Sequence, residues 1–383
     1  MKVAIVTHET FFPVKGGGTI RVLKIAESFK RRGHNVKIFA PYGSQYDGEN
    51  EVEGGINFYG VCNIERFKTK NKEFAYLKYI LKTSVRLVFE DYDFLMAHIA
   101  VAGISSIPAR IFKLSPSLID LDDIISGLSS FGFIKKVAPK IERMIPHFYD
   151  SVSCMSEALA EKVRETGKKN VFVVPHGVDL KLFKPSNEEE RELGHFVFSG
   201  GIEAHDGVDI ILRAVALLKE KYPFIKLSVI GDGSKLSECI NLCKELGLSD
   251  NVVFTGWIDH REIPKYHRKA SAGIICDRYM PATEIALVVR GVEYMGSGLP
   301  IIASDNKGNL ELIDDGENGL IFEKENIKAL AQKMEWVINN PKGAFEMGMK
   351  GRKIAENKYD WGKNAEEIVK RCESIYSDYK NKF

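Results

Sequence analysis

Several absences bound the reading before any motif does. Net charge is almost missing: 54 Lys and Arg stand against 52 Asp and Glu, a formal +2. That balance does not suggest bulk nucleic-acid binding. Cysteine is scarce, limited to Cys62, Cys154, Cys239, Cys243, Cys276 and Cys372. Cys239 and Cys243 lie four apart in a helical pattern, with no second Cys or His pair at ligand spacing. The six are expected to be reduced, mostly buried thiols of a cytosolic protein, not disulfides or a zinc site. Long apolar runs are missing too. The most apolar longer stretch, FLMAHIAVAGISSIPARIF at 94–112, is broken by His98, Pro108 and Arg110, which makes a poor spanning helix. The opening MKVAIVTHETFF lacks the extended apolar segment and cleavage site of a signal peptide, so a first strand is expected there. No G-x-G-x-x-G occurs, since GDGSKL at 231–236 fails at its last position, and there is no Walker loop. A dinucleotide-dependent dehydrogenase is therefore disfavoured. No short repeat or low-complexity tract is found.

What is present is alternation. KVAIVTH reads as a strand, KGGG as a turn, and TIRVLKIAESFKRRGH as a helix with Val22, Ile25, Ala26 and Phe29 on one face. Gly33 ends it, and NVKIFAP is the next strand. This β–loop–α–β unit opens a doubly wound sheet. DFLMAH, SLIDLDD and SVSCMS read as later strands, and EALAEKVRETG as a helix. FKPSNEEERELG at 183–194 is charged and poor in apolar residues, the best linker candidate. The pattern then restarts with HFVFSGG, GVDIILRAVALLKEKYP, IKLSVIGDG, KLSECINLCKELGL, NVVFTGW, ASAGIICD and LPIIASD. The tail from Tyr359 reads as one amphipathic helix with Trp361, Ala365, Ile368, Val369 and Cys372 on its apolar face. A chain of 383 residues, 44% of them hydrophobic, is comfortable for two cores. Two α/β domains of similar size are expected to face each other across a ligand-binding cleft.

The candidate chemistry sits at turns and strand ends. VKGGGT joins a strand to a helix, so its glycines allow close approach and the helix N-terminus offers N–H groups to an anion; a plain tight turn is the alternative. In YMPATEIALVV, Pro281 and Thr283 suggest a helix start that would aim the amides of Ile285, Ala286 and Leu287 at the cleft. Glu284 would sit at its mouth and Glu293 further along. A carboxylate suits a ribose diol because it accepts from two adjacent hydroxyls; a solvent-facing acid is the plain alternative. His98 ends an apolar strand, as a functional residue or a core histidine. DLDDI gathers Asp120, Asp122 and Asp123, fit for a metal, a base, an acceptor hydroxyl or simple capping. Lys68, Lys70, Lys72, Lys78, Lys82 and Arg86 lie among Phe67, Phe74, Tyr76, Leu77 and Tyr79. That mixture suits an anionic lipid surface or a solvated helix face.

The ordered set resembles the retaining glycosyltransferases of the GT-B fold, family 4, over nearly the whole chain. It comprises the P-x-x-GG loop from Pro13 to Gly17, RGHNVKIFAP, VSCMSEAL, VVPHGVDLKLFKP, VIGDG, VVFTGW, VEYMGSGLPII, ELIDDGENGLIF and YDW. The resemblance implies an acceptor-side domain at 1–185, a nucleotide-sugar domain at 190–360, and a helix at 361–383 that crosses back to the first domain. It implies Glu293 on the ribose, Glu284 on the donor sugar, and the amides of Ile285, Ala286 and Leu287 on the diphosphate. His98 would contact the sugar. Gly17 and Gly18, with Gly231 and Trp257 of the second domain, would line the donor, and Asp120 and Asp122 would lie on the acceptor side. The implied partners are a UDP- or GDP-linked sugar, a sugar or lipid-linked acceptor and a peripheral membrane contact, with no metal or other cofactor. Two departures stand out. The acids are nine apart, where the family has eight. Gly201 and Asp206 stand where many members have a diphosphate-binding Arg and Lys, and Arg290, Lys15 and the helix N-terminus are the candidates to supply that charge. A non-catalytic nucleotide-sugar-binding subunit, or an epimerase on the same fold, is the alternative.

Overall fold

The computed structural model describes residues 1–12, 14, 16–43, 46, 51–52, 54–63, 72–122 and 139–382, with backbone alone at 72–74. Pro13, Lys15, Phe67, Lys68, Lys70 and Asp123 lie outside the described residues, as do the side chains of Lys72 and Phe74. The chain forms two compact units: Met1–His176 with Gly362–Phe383, and Gly177–Trp361. The charged segment 183–194 lies inside the second unit, where Phe183 is fully buried.

Among the described residues the first unit is built on eight strands. β1 (Lys2–Thr7) is buried from Val3 onward. A parallel strand covered on both faces has no polar side, which is why its apolar residues are continuous and not alternating. α1 (Gly17–Arg31) buries Val22, Leu23, Ile25, Ala26 and Phe29. Lys30 and Arg31 suit the negative end of its dipole, and Gly33 stops it at φ 81. β2 (Asn35–Tyr42) returns parallel to β1. β3 (Glu51–Val52) and β4 (Ile56–Asn63) make the one antiparallel strand pair among the described residues, at the sheet edge. Then come α2 (Lys72–Phe89), β5 (Phe94–His98), α3 (Ile99–Lys113), β6 (Ser117–Leu121), β7 (Ser151–Cys154), α4 (Glu157–Arg164) and β8 (Val171–Val173). The spatial order is β3-β4-β2-β1-β5-β6-β7-β8. Connections leave β1 and β5 in opposite directions, so their C-terminal ends open a crevice. Those ends are Thr7 and His98, partners in register.

The second unit holds six parallel strands: β9 (His195–Ser199), β10 (Lys226–Ile230), β11 (Val252–Gly256), β12 (Ala272–Ile275), β13 (Ile301–Ser304) and β14 (Gly319–Phe322). The order β11-β10-β9-β12-β13-β14 puts its switch point between β9 and β12. The helices are α5 (Val208–Lys219), α6 (Leu236–Glu245), α7 (Ile263–His267), α8 (Val289–Gly296), α9 (Lys307–Leu312), α10 (Ile327–Asn339) and α11 (Pro341–Lys358). Cys239 and Cys243 are on the inward face of α6, and all six cysteines are free and buried. The last helix, α12 (Trp361–Lys380), buries Ala365, Ile368, Val369 and Cys372 and pairs Glu373 with Arg32 and His34 of the first unit.

Two glycines fix the loops at the second switch point. Gly200 follows β9 and Gly231 follows β10, at φ 148 and 134. The Gly200 N–H donates to Ile230 O at 2.9 Å, and a Cβ on Gly231 would collide with the Gly200 carbonyl. Gly231→Ala should therefore cost about 2–5 kcal/mol, from overpacking and backbone strain together. Gly256→Ala is the control: its φ is 67 but nothing stands within 4 Å of the new methyl. Denaturation midpoints of the two variants should differ clearly. Equal losses would leave only strain.

Candidate active site

The switch point of the second unit is filled by charge. Arg290, the second residue of α8, is buried, and its Nη2 donates to Asp277 Oδ1 at 2.6 Å and Asp206 Oδ1 at 3.0 Å. Its Cζ lies 4.9 Å from the centre of the Phe198 ring. Its Nη1 fills the space where Gly200 lacks a side chain, 2.7 Å from where a Cβ would be. Burial disfavours the guanidinium, but the charges of Asp277 and Asp206 outweigh this and hold its pKa above the usual arginine range. Burial pushes the Asp277 carboxyl up, against the pull of Arg290. Asp206 also shapes the backbone, since its Oδ2 accepts from the Glu203 N–H at 3.0 Å and closes a short 3-10 turn. The acid that replaces the expected lysine is thus the partner of Arg290.

The expected helix does not begin at Pro281. Residues 281–285 form turns and α8 starts at Val289. The Thr283 hydroxyl explains this, because it closes the turn behind it, donating to Arg278 O at 2.6 Å and accepting from the Met280 N–H at 2.9 Å. The Ile285 and Ala286 amides, expected to face a diphosphate, donate to Ala282 O at 3.2 and 3.0 Å. Leu287 is buried. Arg290 therefore belongs to a different element from Glu284.

Glu284 is held by two donors, Lys324 Nζ at 2.6 Å and Asn306 Nδ2 at 3.2 Å, both on its Oε1. Glu293 is buried on α8 with Oε1 2.6 Å from His260 Nε2. Burial opposes the charged His260 ring, and the Glu293 hydrogen bond and charge outweigh it, so this histidine titrates above its ordinary value. Trp257 follows β11 half-exposed. Gly231 is closed off by the Gly200 carbonyl, so its place there is set by packing.

The switch point of the first unit is a second buried network. His98 Nδ1 is 3.1 Å from Asp120 Oδ2, and its Nε2 is 3.3 Å from Asp122 Oδ2. Arg21 grips Asp120 through Nε and Nη2, both at 2.7 Å, and its Nη2 reaches Val174 O at 2.9 Å. His176 Nε2 is 3.4 Å from Asp122 Oδ2. His98, Asp120 and Arg21 are fully buried. Both oxygens of Asp120 are thereby hydrogen-bonded, whereas Asp122 Oδ1 lies 3.2 Å from Arg21 Nε without a hydrogen bond, which makes Asp122 the better acceptor-side candidate. His98, Asp120 and Asp122 could surround a cation, but Arg21 already supplies the positive charge there. At the start of α1, Gly18 packs on Glu9: a Cβ there would lie 2.7 Å from Glu9 Oε1. A carboxylate thus sits near the helix end that Gly17 and Gly18 were expected to offer to a phosphate.

Lys324, Asn306, His260, Asp277, Arg21 and His176 were not among the sequence candidates. Arg21 had a signal, since it stands four before Ile25 and eight before Phe29 on the apolar face of α1. The others come from distant segments and have no spacing to betray them.

Burial disfavours the His98 imidazolium, but Asp122 and Asp120 raise its pKa to about 10. A raised folded value stabilises fully below about pH 6.5, and that contribution fades as the pH rises through about 10. Asp120 is held at about 2, with burial outweighed by the charge and hydrogen bonds of Arg21 and His98. It stabilises above about pH 3.9, and this is lost as the pH falls through about 2. His98→Ala leaves two buried carboxylates short of a cation and should cost about 3–5 kcal/mol. The thermal midpoint at neutral pH reads it; an unchanged midpoint would remove His98 from the network.

The chain has extensive likeness to known proteins. A family described as Glycosyltransferase Family 4 matches residues 15–182, and one described as Glycosyl transferases group 1 matches residues 181–354. An uncharacterized glycosyltransferase of Haemophilus influenzae is 30% identical over 371 residues, covering 94% of this chain and 96% of that protein. The solved structure of sucrose-phosphate synthase from Thermosynechococcus elongatus superposes with a TM-score of 0.83 over 98% of this chain and 99% of that one, at 18% identity. Anabaena HepE in complex with UDP-glucose superposes with a TM-score of 0.79 over 98% and 100%, at 19% identity. The architecture is the GT-B fold, and the chain belongs to the group 1 glycosyltransferases.

Proposed function

We propose that this enzyme moves a sugar from a UDP- or GDP-linked donor to a hydroxyl of a sugar or lipid-linked acceptor, with retention at the anomeric carbon. The observation that carries the reading is the pair Glu284 and Glu293, each held in place by a basic side chain at 2.6 Å. A carboxylate fixed in this way loses little freedom when it accepts from a hydroxyl. Glu293 holds the ribose and Glu284 the donor sugar. HepE, whose fold this chain shares, is described with UDP-glucose, which supports the donor class. In the reaction the bond from the anomeric carbon to the diphosphate breaks, and the diphosphate leaves with the electron pair. The acceptor oxygen bonds to the same face of that carbon and passes its proton to the oxygen of the departing diphosphate. Positive charge must meet the leaving diphosphate. Arg290 supplies it from beside Gly200, with Asp206 and Asp277 holding the guanidinium in place. In the first unit His98 and Asp120 position Asp122 on the acceptor side.

Glu293→Gln keeps the size of the side chain and loses its charge. Nucleoside diphosphate binding should weaken by roughly 1.5–3 kcal/mol, a factor of about ten to a hundred. Isothermal titration with UDP and GDP measures this, and an unchanged affinity in the folded variant removes the ribose assignment.

Arg290→Ala should lower release of free nucleoside diphosphate about a hundredfold, or 2.7 kcal/mol. An epimerase would release none. Restoring the family's lysine at 206 would remove the carboxylate that accepts from the Glu203 N–H and closes the turn there, so the structure argues against that rescue. Gly201→Arg alone is better: a Cβ at Gly201 would meet only Asp206 Oδ2, at 3.6 Å. Gly201→Arg should return part of the turnover to the Arg290→Ala enzyme. Wild-type turnover in Arg290→Ala would end the charge argument.

A further inference from the structure

The loop that leaves β1 and the helix above it carry three side chains that the reaction has not yet used. His8 follows Thr7, the register partner of His98, so it stands at the same strand end as the acceptor-side carboxylate of Asp122. The charges of Glu9, His98 and Asp122 all act on its ring. Its Nδ1 is buried and has no hydrogen-bond partner. A buried ring nitrogen in that state costs stability until a group arrives to meet it. Burial disfavours the imidazolium more than Glu9 and Asp122 favour it, so the ring titrates below the ordinary histidine range and is neutral at pH 7. A neutral imidazole offers one nitrogen as donor and the other as acceptor.

The loop is pinned. The Glu9 N–H donates to Thr7 Oγ1 at 3.1 Å. Phe11 is fully buried, its N–H donates to Pro41 O at 3.0 Å, and its carbonyl accepts from the Gly43 N–H at 2.8 Å. α2 closes over the same strand end, where the Tyr79 hydroxyl donates to Thr7 O at 2.6 Å. Tyr76 is its neighbour three positions earlier on the helix. It is 41% exposed, and its ring centre lies 6.1 Å from that of His8. Burial and the Glu9 charge both push the Tyr76 phenol up, so Glu9 lies close to it as well.

Charge decides what can enter. Arg21 is engaged by Asp120 and Asp122, and His98 lies between the same two acids. The Glu9 carboxylate has no hydrogen-bond or ion-pair partner among the described residues. Two cations thus stand against three carboxylates, and the excess is negative. A carboxylate or phosphate entering here would meet like charge. A hydroxylated ring finds a carboxylate for adjacent hydroxyls, an unpaired imidazole nitrogen and an aromatic wall. Because the loop is already fixed, little freedom is lost in binding it.

We propose that His8, Glu9 and Tyr76 recognise the acceptor, and that they select an uncharged sugar over an anionic one as the unit that receives the new bond. The inference deepens the function proposed above and rests on its placing of the acceptor beside Asp122. The test is saturation-transfer NMR of the full chain with methyl glucoside, methyl galactoside and methyl mannoside, and with the corresponding methyl uronates, which differ by one carboxylate. Wild type should bind at least one methyl hexoside about tenfold tighter than its uronate. Glu9→Gln removes the charge and keeps the shape, so this discrimination should fall by about threefold to fivefold. His8→Ala should weaken binding of the uncharged sugar by about fivefold, the loss of one hydrogen bond. Tyr76→Ala, at an exposed position, should weaken it as well and reports even where His8→Ala fails to fold. The proposal is overturned if no methyl hexoside binds wild type, if the uronates bind as tightly, or if folded Glu9→Gln discriminates as wild type does. Isothermal titration of the same samples with UDP and GDP keeps the two readings apart. Nucleotide binding without sugar discrimination would sink the acceptor proposal alone. Sugar discrimination without nucleotide binding would uphold it and sink the donor reading.

Discussion

A buried guanidinium must find carboxylates, and both units of this protein are organised around that requirement. Moving an arginine out of water costs several kcal/mol unless its charge is met at close range. In the first unit Arg21 reaches from α1 to Asp120 and Asp122 at the end of β6. In the second, Arg290 reaches from α8 to Asp206 and Asp277, beyond β9 and β12. Each arginine stands at a switch point, where the connections leave neighbouring parallel strands in opposite directions. The ion pairs tie the segments that leave those strand ends. They also fix which loops can pack there, because the Gly200 backbone lies against the Arg290 guanidinium and the Gly231 backbone against the Gly200 carbonyl.

The departure at 201 and 206 is coherent with this arrangement. A lysine at 206 and an arginine at 201 would bring two mobile cations to the loop. This chain has one arginine on a helix, buried and oriented by two acids. A guanidinium held in a fixed plane presents its remaining N–H groups in a defined direction and loses little entropy in doing so. One of its partners cancels its charge, and burial pushes the carboxyl of the other, Asp277, toward the neutral form. The exchange is stronger positioning against weaker net attraction, and it ties the loop after β9 to α8 through one side chain.

Much of the architecture is legible in the sequence because it is periodic. The apolar run of β1, the one-sided face of α1 and the buried stripe of α12 each follow from a local pattern repeated over several residues. The site was legible only where it coincides with such a pattern. His98 and Asp120 could be seen as strand ends, yet their mutual contact spans 22 positions, and that between Glu293 and His260 spans 33. No spacing encodes these. The helix expected from Pro281 failed for a local reason of a different kind. Thr283, read as a cap, directs its hydroxyl backward to Arg278 and Met280 and stabilises a turn in competition with the helix. Side-chain competition of this sort leaves the composition of a helix start unchanged while reversing its outcome.

The first unit shows what the buried network makes possible. Ile99, next after His98, has φ 67, a conformation that a β-branched residue adopts at a cost of roughly 1–3 kcal/mol. Nothing local favours it. The ring of His98 is fixed between Asp120 and Asp122, Asp120 is fixed by Arg21, and the following turn must start α3 at once, since the helix begins at Ile99 itself. The backbone is thus bent sharply because its preceding side chain cannot move. Loosening any member of the network would free the turn to relax, and with it the direction in which the Asp122 carboxylate points. The salt bridges of this unit hold a strained strand end in one orientation, which is a stronger demand than stability alone would make of them.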